Sequence, residues 1–165
     1  MFGIFKKKNE TVNSDLELKA IADGKVIDIE NVPDPMFAQK LLGDGIGFVF
    51  EGSEIFAPCN GEITMIAETN HAFGIKAENG AEFLLHVGLD TVNLKGQGLS
   101  PKVAQGQKVK AGQLLLVIDR AFMAENQVEL TTPLIMTEAE GYTMEKCNVE
   151  NDVTKDSTVM IVKKN

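Results

Sequence analysis

The chain is poor in the residues that would build most alternative proteins. Its two cysteines, Cys59 and Cys147, stand far apart and in no metal-ligand spacing. No disulfide framework is implied, and a reducing cytoplasm is the simpler reading. No apolar run approaches the ~18 residues that a transmembrane helix needs. The opening MFGIFKKKNE places its basic residues after its apolar ones and has no signal-peptide core, so secretion is not expected. Lysine and arginine number 16 against 24 aspartates and glutamates, for a net charge of -8. This balance argues against nucleic acid as a partner and suits a basic protein. Tryptophan is absent, aromatics are sparse, and there are only two histidines, His71 and His86. No Gly-x-Ser-x-Gly motif occurs, and neither cysteine has a histidine near it in sequence, which leaves Ser or Cys nucleophilic catalysis without support.

What is present reads as one domain of short strands and frequent turns. Residues 1–17 read as a tail. A disordered terminus is the favoured reading, with a weak membrane-surface contact by Phe2, Ile4 and Phe5 before Lys6-Lys7-Lys8 as the alternative. Residues 18–165 form the domain. Strands are expected around Leu18–Ala22, Lys25–Ile29, Phe48–Phe50, Ser53–Phe56 and Gly61–Ile66, and again within 103–119, 128–137 and 157–162. Between them, Asp34 can cap a short helix that starts at Pro35 and stops at Gly43, with Phe37 and Leu41 on one face. The glycines of Gly43-Asp44-Gly45-Ile46-Gly47 suggest a tight bend, since the lysine of a phosphate loop is missing. A short helical turn fits 121–126. So many strands with almost no helix make the fold all-β, a sandwich or barrel.

Both histidines fall in one stretch, ETNHAFGIKAENGAEFLLHVGLDTVNL, and Asn79-Gly80 between them is a strong hairpin signal. With a two-residue loop, Phe73 faces His86 and His71 becomes its diagonal neighbour, about 7–8 Å away on the same face. One local element would bring the two imidazoles together.

A zinc site of the chain's own needs three or four ligands, so two histidines leave it open but not favoured. Asp90, Asp44 and Glu68 are candidates for a third, but none is fixed by spacing; a carboxylate from a partner would complete the site more readily. A histidine can instead act as a nucleophile. The hydrogen bond on one ring nitrogen decides which nitrogen is free, and the free one can accept and release a phosphoryl group. A neighbouring donor then stabilises the anionic group in transit. The residues alone leave such a pair and an incidental structural pair as alternatives.

Here the wording of the sequence becomes specific. Glu68-Thr69-Asn70-His71-Ala72-Phe73 and Leu84-Leu85-His86-Val87-Gly88-Leu89-Asp90-Thr91-Val92 resemble the IIA component of the glucose-type bacterial sugar phosphotransferase system. NVPDPMFAQKLLGDGIG at 31–47, Ala57-Pro58-x-x-Gly61, Lys95-Gly96-Gln97-Gly98 and the segment 106–112 agree in the same order. The resemblance spans roughly residues 20–135. It implies a flattened antiparallel β-sandwich with short helical turns and a shallow active-site depression, and needs no cofactor. It implies that His86 accepts the phosphoryl group through Nε2 from the phosphocarrier HPr and passes it to a cysteine of a sugar-specific IIB domain. His71 would stabilise that group, Thr69 would orient His71, and the Gly88 carbonyl would hold His86 in its reactive tautomer. Asp34 and Asp90 would meet basic residues of the donor, and Phe37, Leu41, Ile46, Phe73 and Val92 would supply an apolar rim. In some relatives the two histidines share a zinc ion with a regulated partner enzyme, which makes His71 and His86 intermolecular ligands by analogy. The chain departs from the pattern at Cys59-Asn60, at Phe48-Val49-Phe50 and after Gly141.

Two other classes fit less well. Part of the histidine stretch is similar to zinc endopeptidases of the glycyl-glycine type, but no histidine follows His86 to supply their second His-x-His. The segments APCNGEI and KVKAGQLLLVID are similar to biotinyl or lipoyl carriers, but the lysine those need at a hairpin tip is missing.

Overall fold

Strand follows strand through most of the structure, a computed structural model that describes residues 15–165. The segment Phe2 to Lys8, for which a membrane contact is the alternative reading, lies outside the described residues. The tail expected to residue 17 ends sooner, because Leu16 and Glu17 already belong to the first described strand, β1 (Leu16–Lys19). The chain continues through β2 (Gly24–Asp28), β3 (Asp44–Phe50), β4 (Glu54–Phe56), β5 (Gly61–Ile66), β6 (Ala72–Ala77) and β7 (Glu82–His86). It then forms β8 (Leu99–Pro101), β9 (Lys108–Val109), β10 (Leu114–Ile118), β11 (Thr132–Met136), β12 (Tyr142–Lys146), β13 (Asp152–Val153) and β14 (Thr158–Lys164). Among the described residues helix is confined to α1 (Pro35–Ala38), α2 (Arg120–Glu125) and two 3-10 turns, Ile29–Asn31 and Thr91–Leu94. No helix among the described residues is long and apolar enough to cross a membrane.

The strands make an eight-stranded antiparallel sheet in the order β9-β5-β6-β7-β11-β3-β2-β13, and two three-stranded sheets, β4-β10-β8 and β12-β14-β1. This is the all-β sandwich expected from the sequence. The main core lies between the large sheet and the small ones: Phe48, Phe73, Phe83, Leu85 and Leu134 meet Leu18, Ile55, Leu115 and Val159 there. Alternation along each strand sends the intervening residues outward. On that outer face a second, smaller cluster forms from Ile29, Val32, Phe37, Leu89 and Ile135, with Ile27 and Leu84 against it. His86 shares the outer face with Leu84, two residues before it on β7.

The glycine-rich segment is not the bend expected of it. Only Gly43, with φ 142°, lies outside the strand; Asp44–Phe50 is β3, paired with β2 on one side and β11 on the other. Its glycines are required by close approach. A Cβ on Gly45 would sit 2.0 Å from the Leu134 carbonyl oxygen, and one on Gly47 would sit 2.7 Å from a Val32 methyl. Ile46 between them points into the main core and is fully buried. It therefore cannot serve in the apolar rim expected of it.

Because the atoms opposing Gly45 are backbone, they cannot yield as a flexible side chain would. Gly45→Ala is expected to cost about 1–3 kcal/mol, lowering the thermal midpoint by roughly 2–4 °C per kcal/mol. Gly52, where an added methyl group would meet nothing within 4 Å, is the control: Gly52→Ala should stay within about 0.5 kcal/mol. Calorimetry of the two variants checks both.

Candidate active site

The hairpin that carries the histidines has a loop of three residues, not two. Ala77 N–H donates to the Ala81 carbonyl at 2.8 Å, and Gly80 N–H to the Ala77 carbonyl at 3.0 Å. Gly80 alone takes positive φ, at 90°, while Asn79 does not. Asn79 instead uses its side-chain oxygen to accept from Ala81 N–H. A type I turn followed by a left-handed glycine has this form. The extra residue shifts the register by one: Ala72 pairs with His86, and Phe73 with Leu85. A one-residue slip turns every side chain to the other face. Phe73 therefore lies in the main core, fully buried, and not in the rim beside His86.

Strict alternation in this register would also send His71 away from His86, since Val87 N–H donates to the His71 carbonyl. The ladder ends first. Asn70 turns left-handed with φ 63°, and β6 begins only at Ala72. Released from alternation, the His71 ring reaches His86, with centroids 4.9 Å apart and planes at 75°. The pair expected from the sequence forms, by a different route.

Each ring is anchored at Nδ1. That of His86 lies 2.8 Å from the Gly88 carbonyl oxygen. A carbonyl can only accept, so Nδ1 carries the proton and Nε2 is left with a free lone pair. That of His71 lies 2.7 Å from the Thr69 hydroxyl. Gly88 can present its carbonyl because it holds φ 73°; a Cβ there would also meet a Thr91 methyl at 2.6 Å. Two buried threonines hold the turn. Thr132 Oγ1 accepts from Gly88 N–H at 3.2 Å, and Thr91 Oγ1 donates to the Val87 carbonyl at 2.6 Å. Neither is identifiable from the sequence, where a threonine in a strand or turn carries no special signal.

Burial holds both imidazoles below their ordinary value of 6.5. For His71 the neighbouring His86 ring adds to the effect, and hydrogen bonding with the Thr69 backbone opposes it. For His86 the opposition comes from the Gly88 hydrogen bond and from the charges of Asp34 and Asp90. Near neutral pH both rings are thus uncharged. Cysteine offers no competing nucleophile: burial, with Glu78 beside it, pushes the Cys59 thiol up to about 12.

The segment over His86 follows from its caps. The Asp34 carboxylate accepts from Met36 N–H at 2.9 Å and Pro35 opens α1, as expected. The helix stops at Ala38, because Lys40 turns left-handed with φ 60°. Phe37 and Leu41 accordingly do not share a helix face. Phe37 is buried with its ring 5.0 Å from that of His86, whereas Leu41 is 64% exposed. Val92 is exposed as well, and so are Met36 and Leu42, which no sequence signal singles out. Asp34 is half-buried and Asp90 is exposed in the left-handed turn after Gly88. Among the described residues no group of three histidines, cysteines or carboxylates is placed to hold a metal ion. Asp44 is occupied by Lys146, and Glu68 is exposed. A zinc ion would find only two imidazoles here and would need its remaining ligands from another molecule.

The geometry is that of an imidazole with a free Nε2, set against the Phe37 ring and beside a second anchored imidazole. Comparison with known proteins gives the family. The family model described as phosphoenolpyruvate-dependent sugar phosphotransferase system, EIIA 1, matches residues 16–142. The PTS system glucose-specific EIIA component of Halalkalibacterium halodurans is 43% identical over 83% of this chain and 80% of its own length. Its namesake from Bacillus anthracis is 39% identical over 96% and 93%. The structure of glucose permease IIA from Mycoplasma capricolum superposes with a TM-score of 0.83, at 34% identity, over 97% of this chain and 99% of that one. The chain therefore belongs to the EIIA 1 family of the phosphoenolpyruvate-dependent sugar phosphotransferase system and is a phosphoryl-transfer component of it.

Proposed function

We propose that His86 is the phosphoryl carrier, taking the group from phosphorylated HPr and giving it to a cysteine of a glucose-specific IIB domain in the cytoplasm. The observation that carries this reading is the hydrogen bond from His86 Nδ1 to the Gly88 carbonyl, which leaves Nε2 as the only free nucleophilic nitrogen of that ring. The glucose assignment rests on the names of relatives 39–43% identical to the chain.

In the first transfer the Nε2 lone pair attacks phosphorus. The bond between phosphorus and the donor's histidine nitrogen breaks, and its electron pair stays with the donor. In the second, a cysteine thiolate of the IIB domain attacks phosphorus and the Nε2–P bond breaks. His86 emerges unchanged, and one transfer has become two. In this reading the Thr69 hydroxyl donates to His71 Nδ1, so that His71 keeps its proton on Nε2 and donates it as a hydrogen bond to a phosphoryl oxygen. That contact matters most as charge redistributes during onward transfer. Asp34 and Asp90 meet basic residues of the partner, and Leu41 and Val92, with Met36 and Leu42, make apolar contact around them. Phe37 packs against the His86 ring. A zinc ion bridging to a partner's carboxylate would use the same two imidazoles.

Incubation with labelled phosphoenolpyruvate, the general first enzyme of the system and HPr should give acid-labile label on the protein. His86→Ala is expected to abolish it, and label that survives would sink the assignment. His71→Gln is expected to keep the label but to lose transfer to the IIB domain. Normal sugar phosphorylation by that variant would remove the helper role.

The acceptor must be unprotonated and burial lowers the His86 pKa, so labelling at saturating donor should fall on acidification with a midpoint below about pH 6.5. Asp34 and Asp90 favour the protonated ring of His86, so neutralising them pushes the ring pKa further down. NMR titration of the His86 ring in Asp34→Asn and Asp90→Asn checks the direction. Asp34→Asn keeps a residue able to cap α1, so its effect reads charge and not loss of the helix.

A further inference from the structure

We propose that Lys146 is a positioning residue for partner docking, because its single ammonium clasps both ends of the segment that carries the docking surface. This rests on the phosphoryl-carrier reading of His86.

The segment is the long excursion between β2 and β3. It leaves the sheet at Asp28 and returns at Asp44, and holds Asp34, Phe37, Met36, Leu41 and Leu42 between. Because β2 and β3 are neighbours, its two ends meet again on the sheet, Asp28 standing opposite Ile46. The mouth therefore brings two carboxylates together, which repel unless something stands between them. Lys146 Nζ does. It lies 2.7 Å from Asp44 Oδ1 and 3.2 and 3.3 Å from the two oxygens of Asp28.

Both carboxylates also hold backbone. Asp28 Oδ1 accepts from Glu30 N–H at 3.1 Å, capping the 3-10 turn that starts the excursion. Asp44 Oδ1 accepts from Gly45 N–H at 2.8 Å, where β3 begins. Burial pushes the Asp28 carboxyl up, but the Glu30 hydrogen bond and the Lys146 ammonium outweigh it and hold the group below its ordinary value. Within the excursion Lys40 adds pairs to Glu30 at 3.2 Å and Asp44 at 3.9 Å. Those are exposed and contribute little. The Lys146 side chain is only 18% exposed and is the better shielded cation.

Lys146 arrives from the other side of the sandwich. It is the last residue of β12, paired with Met160 of β14 in a small sheet, and it lies beyond the stretch that matches the family model. The C-terminal hairpin thereby reaches across to fix the frame in which Phe37 and its exposed neighbours stand over His86. A surface held in its bound form costs less to dock. Releasing it should weaken the encounter with partners and leave the phosphoryl chemistry alone.

The test uses the full chain with Lys146→Met, Lys146→Arg and Asp44→Asn. Amide exchange over residues 29–43 is read by mass spectrometry, and initial labelling rates are read against phospho-HPr concentration. Lys146→Met should speed exchange in that segment, raise KM for the donor roughly 3–10-fold and keep kcat within about twofold. Lys146→Arg should restore both, and Asp44→Asn should speed exchange as Lys146→Met does. Unchanged exchange in a folded Lys146→Met or Asp44→Asn protein overturns the clasp. Faster exchange with an unchanged KM, a loss confined to kcat, or no rescue by arginine overturns the docking role. If the wild-type protein takes no label, the carrier reading fails instead, and the exchange data still decide whether the clasp exists.

Discussion

One hydrogen bond, from His86 Nδ1 to the Gly88 carbonyl, determines what this site can do. It selects the tautomer, and the tautomer decides which nitrogen is nucleophilic. The bond exists because the chain leaves β7 immediately after His86 and turns back on itself. That turn needs a left-handed residue at 88 and has no room for a side chain there. The buried hydroxyls of Thr91 and Thr132 then hold the turn in place. A local backbone shape, maintained by two threonines, thus governs the chemistry of a ring two residues away.

The sandwich explains why the rings are neutral. A sheet with a core on one face ordinarily shows water the other. Here a second apolar cluster of Ile29, Val32, Phe37, Leu89 and Ile135 covers part of that outer face, and Phe37 reaches the His86 ring. Burial of this kind favours the uncharged form of both imidazoles. Asp34 and Asp90 moderate the shift on His86. Burial and nearby carboxylates act in opposite directions, and burial prevails.

Much of this is legible in the sequence, and the failures share a cause. The hairpin, the capped turn at Asp34-Pro35 and the all-β class follow from local signals, whereas the meeting of the two histidines follows only from a register the chain does not adopt. Register does not follow from local signals. Asn79-Gly80 permits a two-residue loop, but Asn79 spends its side chain on Ala81 N–H and only Gly80 turns left-handed. That single residue moves Phe73 from the site face to the core. The histidines meet despite it, because the left-handed Asn70 ends the ladder before alternation reaches His71. Ile46 is misplaced for a related reason. Its flanking glycines look like a bend in sequence, whereas in the fold they admit the β11 backbone and the Val32 side chain. Contacts of this kind join residues far apart in the chain, and no local pattern announces them. The reach of Lys146 to Asp28 and Asp44 is of the same sort.

The large sheet ends on both sides in strands only two residues long, β9 and β13. Exposed strand edges are templates on which other chains add strands and aggregate. An edge of two residues gives an incoming strand almost no ladder to extend. The large sheet thus offers an added strand little to pair with at β9 and β13, while Leu41 and Val92 stand exposed.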